Sequence, residues 1–210
     1  RFKVIAGPTG SGKTRLLHAL AQSGAQVLDL EALANHRSSV LGRVPGQSQP
    51  SQKQFDTRVW NQLRQFDPQR VVFVEAESKK VGNVAVPEAL MQAMRSSVCI
   101  DLQLTTDERV KLLMEDYDFF VHDTALFGQR LALLTEIQGR AVVQHWLAQL
   151  ERGECESVVR DLLLRHYDPT YAKSITRNFK GMAQAVQVQL PDRHAHSFNA
   201  VAHSLMETTT

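Results

Sequence analysis

The chain has 210 residues, of which 43% are hydrophobic and 22% are charged, proportions that are typical of a globular protein. The formal net charge is only +2, so any binding to nucleic acid has to come from a local basic patch. Two cysteines, Cys99 and Cys155, lie far apart, which argues against a disulfide framework or a zinc site and favours a cytoplasmic location. No apolar run approaches the roughly 20 residues that a membrane span needs, so no membrane partner is expected.

Short apolar runs alternate with helical stripes through the first half of the chain. Buried strands are predicted at residues 2–6, 27–30, 71–75 and 98–104. Helices are predicted after the first strand as far as Gly24, from about 51 to 66, and after Pro87, a residue favoured at helix N-termini. This alternation favours an α/β fold in which helices cover both faces of a parallel sheet.

The second half of the chain is predicted to be mainly helical. Before it, residues 35–50 are rich in glycine, proline and serine, a composition typical of a mobile loop. Residues 107–166 contain no convincing strand pattern, so a helical insertion is expected at about 105–180. A late strand at 185–190 and a closing helix at 198–206 complete the predicted domain.

The segment between the first strand and the first helix matches a phosphate-binding loop at every position. It is Gly7-Pro8-Thr9-Gly10-Ser11-Gly12-Lys13-Thr14, which fits the pattern G-x-x-x-x-G-K-[ST]. Glycines can adopt backbone angles that turn successive N–H groups into one concavity, to which the following helix presents its positive dipole end. A diphosphate is therefore expected to bind Gly7, Thr9, Gly10, Ser11, Gly12, Lys13 and Thr14.

This cradle predicts a P-loop NTPase-like domain over residues 1–210, with the helical insertion before the last strand. Lys13 is expected to reach the terminal phosphate oxygens, and the Thr14 hydroxyl is expected to ligate Mg²⁺. ATP, GTP and prenyl diphosphates all satisfy the cradle, so the motif defines the ligand's chemistry and leaves the reaction open.

Two acidic residues at the ends of predicted strands are expected near the cradle. Asp29 ends the second strand, where a carboxylate can take a proton from an attacking group, although an aspartate there also fits a helix cap. Glu75 ends the third strand, the position of the acid that holds the Mg²⁺ shell, so it is predicted to be a metal and catalytic residue. The run Glu77-Ser78-Lys79-Lys80 is open to interpretation as a solvated charged turn, which is favoured for the two lysines.

Three basic residues lie at the predicted loop. His36 and Arg37 stand at its start, and Arg43 lies further in. Both His36 and Arg37 can donate to diphosphate oxygens, although loop residues of these types are most often simply exposed. Cys99 lies within an apolar strand and is predicted to be a core residue.

These residues resemble the C-terminal P-loop domain of bacterial tRNA 2-selenouridine synthases. Beyond the cradle the resemblance rests on Asp29-Leu30-Glu31, His36-Arg37, Gly42, Gln49-Pro50-Ser51-Gln52, Phe55, Glu75, Glu77-Ser78, Gly82, Tyr167-Asp168-Pro169 and Tyr171. It covers most of residues 4–171 in order. Ser38 stands where the family usually has a glycine after the His-Arg pair.

The resemblance implies a two-domain enzyme that acts on 2-thiouridine at the tRNA wobble position. An N-terminal rhodanese-like domain is expected in the full protein, and the start at Arg1 agrees with a domain taken from a longer chain. The implied reaction is S-geranylation by geranyl diphosphate, followed by replacement with selenium from selenophosphate. Lys13 and Mg²⁺ would stabilise the departing diphosphate, and Asp29 would take the released proton.

A tRNA and a geranyl group would each need a binding surface on this chain. Arg37 and Arg43 are the first candidates for tRNA contacts, because a local patch must supply the attraction. Apolar side chains of the insertion either wall a geranyl pocket or form ordinary helix-packing core, and they are Leu112, Leu113, Met114, Phe119, Phe120, Leu126 and Phe127. Two alternatives remain open: a small-molecule kinase, and an NTP-binding regulatory module without chemistry of its own.

Overall fold

The computed structural model describes residues 1–37, 46 and 48–208. Its strands are β1 (Phe2–Ala6), β2 (Gln26–Leu28), β3 (Val72–Glu75), β4 (Lys80–Val81), β5 (Val84–Ala85), β6 (Val98–Gln103) and β7 (Val186–Gln189). Five of them form one parallel sheet in the order β2-β3-β1-β6-β7, and β4 and β5 form a separate antiparallel hairpin.

Helices occupy most of the remaining described chain. They are α1 (Lys13–Gln22), α2 (Leu30–Ala34), α3 (Gln52–Leu63), α4 (Glu88–Arg95), α5 (Thr106–Asp116), α6 (Asp118–His122), α7 (Thr124–Ala132), α8 (Thr135–Gln138), α9 (Arg140–Glu151), α10 (Cys155–Leu162), α11 (Asp168–Asn178) and α12 (Ala195–Glu207). A π-helical turn, Leu163–Tyr167, joins α10 to α11, and a 3-10 turn, Lys180–Gln184, precedes β7. Helices α5 to α11 form the predicted insertion before the last strand.

The sheet is covered on both faces, as predicted. Successive residues of a strand point to opposite faces, so Val4 packs in a core with α3 and α4 whereas Ile5 packs in a second core with α1 and α12. The insertion has its own core around the fully buried Trp146. The α/β fold expected from the sequence is therefore confirmed.

The strand order sets the position of the site. The chain leaves β1 to build β3 and β2 on one side, and it later builds β6 and β7 on the other side. Ligands of open α/β sheets bind at the carboxyl ends of the strands, at the point where the order reverses. Here that point is the end of β1, which leads directly into the glycine-rich turn.

Most predicted elements are confirmed, and two predictions need correction. The second strand ends at Leu28 rather than at residue 30, because Asp29 and Leu30 belong to the start of α2. The run 77–80 is not a plain solvated turn, because Glu77 is buried and Lys80 begins the hairpin, although both lysines are exposed as predicted. Cys99 is fully buried, which confirms its prediction as a core residue.

Two glutamine side chains fix the β4–β5 hairpin. The Gln49 amide donates to the carbonyls of Ala34 and Val81 and accepts from the N–H of Asn83. A Cβ on Gly82 would lie 2.2 Å from the Gln49 Oε1, so this turn requires glycine. On the other strand, the Gln52 side chain exchanges two 2.8 Å hydrogen bonds with the backbone of Ala85.

Across the residues that the structure describes, no helix has the length and apolar character to cross a membrane.

Candidate phosphate-binding site

The turn after β1 is a concave loop held by three glycines with positive φ. Gly10 and Gly12 have φ values of 79° and 85°, and the Ser11 N–H donates to the Pro8 carbonyl at 3.1 Å. A Cβ on Gly12 would lie 2.4 Å from the ring of Phe198, so α12 packs against the loop too closely for any other residue. The loop thus has the shape that the sequence predicts.

The first helix presents an uncapped N-terminus to this loop. Helix α1 has no side-chain cap and no acidic residue in its first turn. Side-chain caps occur on four other described helices, α2, α3, α5 and α7, and are supplied by Asp29, Ser51, Thr105 and Asp123. The remaining helices lack one, as α1 does. The free N–H groups and the positive dipole end of α1 therefore remain available to an anion.

The cradle opens on a cavity of about 1070 Å³ whose wall includes Thr9, Gly10, Gly12, Lys13 and Thr14. The Lys13 ammonium donates to the carbonyls of Gly7 and Pro8 at 2.9 and 3.4 Å. A phosphate would offer this ammonium a charged and therefore stronger acceptor.

Two predicted diphosphate ligands lie away from the cavity wall. Gly7 and Ser11 are buried, and the Gly7 N–H already donates to a side chain of the insertion. The Ser11 hydroxyl is packed against Gly7 and has no hydrogen-bond partner. These two residues therefore shape the loop from behind.

Three glutamates converge on the same cavity. Glu31, Glu75 and Glu77 each bring one carboxylate oxygen to within 4.8 Å of the others. Glu75 is buried, and its Oε1 has no hydrogen-bond partner among the residues that the structure describes. Burial and the neighbouring Glu31 carboxylate raise the pKa of Glu75 well above its usual value, while Lys13 acts against this shift. Glu75 lies where the sequence predicts an acid, and the other two glutamates were not assigned a metal role.

Asp29 lines the cavity, but its local role is that of a helix cap. Its Oδ1 accepts from the Ala32 N–H at 2.8 Å, which is the geometry of an N-cap. Its Oδ2 lies 3.5 Å from the His18 Nε2. The capping alternative is thus observed, and the second carboxylate oxygen takes no part in the cap.

The predicted basic residues are only partly described. His36 and Arg37 both line the cavity. Arg37 donates to the Asp116 carbonyl at 2.5 Å, and its guanidinium lies 4.6 Å from the ring centroid of Tyr117. Arg37 therefore joins the start of the loop to the end of α5. Arg43, together with Ser38, lies outside the described residues.

The insertion holds the cradle through a buried arginine. Arg109 of α5 donates to the Thr9 carbonyl at 2.9 Å and forms a two-point ion pair with Asp168 of α11, at 2.5 and 3.0 Å. The Arg109 side chain is almost fully buried, so the loss of its partner would leave a buried charge without its counterion. No sequence signal distinguished Arg109, although Asp168 belongs to the motif that carries the family resemblance.

A tyrosine makes the second contact between the insertion and the cradle. The Tyr171 hydroxyl accepts from the Gly7 N–H at 2.7 Å. Burial raises the pKa of Tyr171, so the side chain stays a neutral phenol. Tyr171 also belongs to the resemblance motif, and its position explains why a residue so far along the chain matters to the loop.

An apolar recess of about 50 Å³ adjoins the cavity. Thr9, Leu113, Tyr117 and Tyr167 line both spaces, and the recess is completed by Met114, Phe120, Val121, Phe127, Val159, Leu162 and Leu163. Four of the seven apolar residues predicted for a pocket or a core therefore line it. Leu112 instead packs with α1 and α12, and Phe119 and Leu126 pack on the core of the insertion.

The fold and the site together define a P-loop phosphate-binding domain of the α/β class. A family model described as the tRNA 2-selenouridine synthase AAA domain matches residues 1–126. The chain belongs to this family, which confirms the resemblance found in the sequence.

Curated relatives extend the match. The chain is 40% identical to the tRNA 2-selenouridine synthase of Nitrosomonas europaea over 56% of its length. It is 29% and 30% identical to those of Aeromonas salmonicida and Hahella chejuensis over 92% and 96% of its length. The chain spans 31% of the first relative and 60% of the other two.

Two solved structures are similar in fold. A shikimate kinase from Acinetobacter baumannii aligns over 99% of this chain and 91% of its own, with 16% identity and a TM-score of 0.41. A Thermus thermophilus protein aligns over 100% and 98%, with 17% identity and a TM-score of 0.46. At these values the likeness says nothing about ligand or reaction.

Proposed function

We propose that this chain is the prenyl-transferring domain of a tRNA 2-selenouridine synthase. It would bind geranyl diphosphate in the P-loop and transfer the geranyl group to the sulfur of wobble 2-thiouridine in tRNA. Replacement by selenium from selenophosphate would follow, with the part of the enzyme that lies outside this chain, expected to include a rhodanese-like domain. Family membership supports the tRNA substrate, and the cavity supports the class of ligand.

The observation that carries the proposal is the junction between the cradle and the apolar recess. A prenyl diphosphate needs anion donors at one end and a dry apolar wall at the other. Thr9 and Leu113 line both spaces, so the two environments are adjacent. The recess holds only the tip of a tail, because about 50 Å³ compares with about 30 Å³ for one water in the liquid. The rest of the geranyl group would lie along the main cavity.

The chemistry requires stabilisation of a leaving diphosphate. The thiouridine sulfur bonds to the first carbon of the geranyl group while the carbon–oxygen bond breaks, and the diphosphate leaves with the bonding electrons. The N–H groups at the start of α1 and the Lys13 ammonium are positioned on the cavity wall to stabilise that charge. Asp29 takes the proton released on alkylation through its Oδ2, because its Oδ1 is committed to capping α2.

Mg²⁺ fits the oxygen donors of this site. The Thr14 hydroxyl lies on the cavity wall, and the unpartnered Glu75 Oε1 is a hard anionic donor of the kind that Mg²⁺ prefers. When bound, the ion would neutralise developing charge on the diphosphate. Arg37 and Arg43 are proposed to contact tRNA phosphates, with His36 and Arg37 as further donors to the diphosphate.

The test compares three ligands by calorimetry in the presence of Mg²⁺. Geranyl diphosphate should bind more tightly than inorganic diphosphate, since each buried CH₂ contributes about 0.8 kcal/mol. It should also bind more tightly than ATP. Tight ATP binding with hydrolysis, and no response to geranyl diphosphate, would instead support a kinase or an NTP-binding module.

A substitution in the recess distinguishes the contribution of the geranyl tail to binding from that of the diphosphate. Val121 lines the recess and is 38% exposed, so Val121→Trp should fill the recess without disturbing the core. We expect weaker binding of geranyl diphosphate and unchanged binding of inorganic diphosphate. Leu133→Trp, at an exposed apolar residue of the insertion outside the recess, is the matched control. Equal loss for both ligands would contradict a tail in the recess.

A further inference from the structure

The three glutamates at the cavity come from two segments of the chain. Glu31 lies in the first turn of α2, Glu75 ends β3, and Glu77 follows two residues later, before the hairpin. One carboxylate oxygen of each lies within 4.8 Å of the other two. Three like charges at this separation repel one another unless a cation or protons lie between them.

A second observation points to a ligand. Glu75 is 3% exposed, yet its Oε1 accepts no hydrogen bond from any described residue. A buried carboxylate oxygen without a partner is costly, because it has lost water and gained nothing. The same side chain belongs to the cluster, so a cation at the cluster would supply the missing partner.

We propose that Glu31, Glu75 and Glu77 form a three-carboxylate site that binds a divalent cation before any diphosphate enters the cavity. All three donors are hard anionic oxygens, which select Mg²⁺ or Mn²⁺ rather than a thiophilic metal. The site differs from the threonine-and-phosphate environment of a P-loop ion, because the protein alone provides three anionic ligands. Glu75 belongs to both the three-carboxylate site and the expected P-loop ion site, because it lies where the P-loop acid is expected.

A hydrogen-bonded hairpin follows Glu77 along the chain. Gln49 and Gly82 fix the turn after β4, and Ser78 accepts from the Lys80 N–H at 3.3 Å. Glu77 itself is buried rather than exposed in a charged loop.

The experiment titrates Mn²⁺ into the chain without any diphosphate and counts bound ions by electron paramagnetic resonance. The wild-type chain should bind one Mn²⁺ that Mg²⁺ displaces. Glu31→Gln and Glu77→Gln should each weaken the affinity at least about tenfold. Glu88→Gln, an exposed glutamate on α4, should leave the affinity unchanged.

Each other outcome overturns the site. Absence of a bound ion at millimolar Mn²⁺, or equal affinity in the wild type and the two variants, would contradict it. Circular dichroism confirms that each variant is folded, and Glu31 is only half-buried, so its variant remains informative if Glu77→Gln does not fold. The test does not depend on the proposed function, because no prenyl ligand or tRNA is present.

Discussion

The cradle and the helical insertion reach the same cavity by different routes. Eight consecutive residues form the cradle, and its shape follows from three glycines and the start of one helix. The insertion contacts the cradle through single side chains from distant points of the chain, chiefly Arg109 and Tyr171. The shape of the cradle therefore depends on adjacent residues, whereas its contacts with the insertion depend on long-range packing.

This difference teaches where specificity resides. The cradle can serve any diphosphate, because its donors are backbone N–H groups and a lysine. The recess beside it is built only from the insertion and from Thr9. A change in the recess should therefore alter which ligand binds. A change in the cradle, or in an insertion side chain that holds the cradle, should alter whether any diphosphate binds.

The largest expected effect on stability is the loss of the buried arginine. Arg109→Met leaves Asp168 without its partner and the Thr9 carbonyl without its donor, so the free energy of unfolding should fall by about 3 kcal/mol. Urea denaturation measures it. Arg160→Met breaks the exposed pair with Asp107 and should cost clearly less. An equal loss in both variants would show that the insertion does not depend on this contact.

A smaller effect is expected from removal of one hydroxyl. Tyr171→Phe leaves the buried Gly7 N–H without an acceptor, which should lower the free energy of unfolding by about 1–2 kcal/mol. Affinity for inorganic diphosphate should fall as well, because the first residue of the cradle is released. Thr176→Ala, on the exposed face of α11, is the control. An unchanged affinity for inorganic diphosphate would show that the Tyr171 contact does not affect binding at the cradle.

The smallest effect is a pH dependence within the insertion. Burial lowers the pKa of His166, whose Nδ1 lies 3.0 Å from the Gln138 amide nitrogen. As the pH falls, His166 is therefore protonated in the unfolded chain before it is protonated in the folded chain. The stability that the neutral, buried His166 contributes is complete above about pH 6.5 and is lost as the pH falls below that value. His166→Gln should show a shallower loss between pH 7.5 and 5 in urea denaturation. Parallel profiles would exclude His166 as the cause.

Local patterns predicted what local forces determine. The buried runs of β1, β3 and β6 and the loop before α1 follow from a few adjacent residues. The end of β2 was misplaced, because Leu30 continues an apolar run although Asp29 already caps the next helix. The two-residue strands of the hairpin are too short for an alternating pattern to be visible.

Residues that depend on distant partners could not be found in this way. Arg109 looks like any charged residue of a helix, and its burial depends on Asp168, 59 positions later. Glu77 stands in a charged run that resembles solvated surface, yet it is buried beside Glu75. Such positions become visible only when the chain is folded, because their environment comes from other elements.

The central claim is that the cradle binds a diphosphate, and one titration tests it most directly. Inorganic diphosphate with Mg²⁺ is titrated calorimetrically into the wild type and Lys13→Ala. The wild type should bind one equivalent, and the variant should bind roughly 10- to 100-fold more weakly, since a hydrogen bond to a charged group contributes about 1.5–3 kcal/mol. The variant should remain folded, because the hydrogen bonds that the Lys13 ammonium donates within the described part of the chain go to the Gly7 and Pro8 carbonyls of its own loop. Binding of near wild-type affinity by a folded variant would contradict the account.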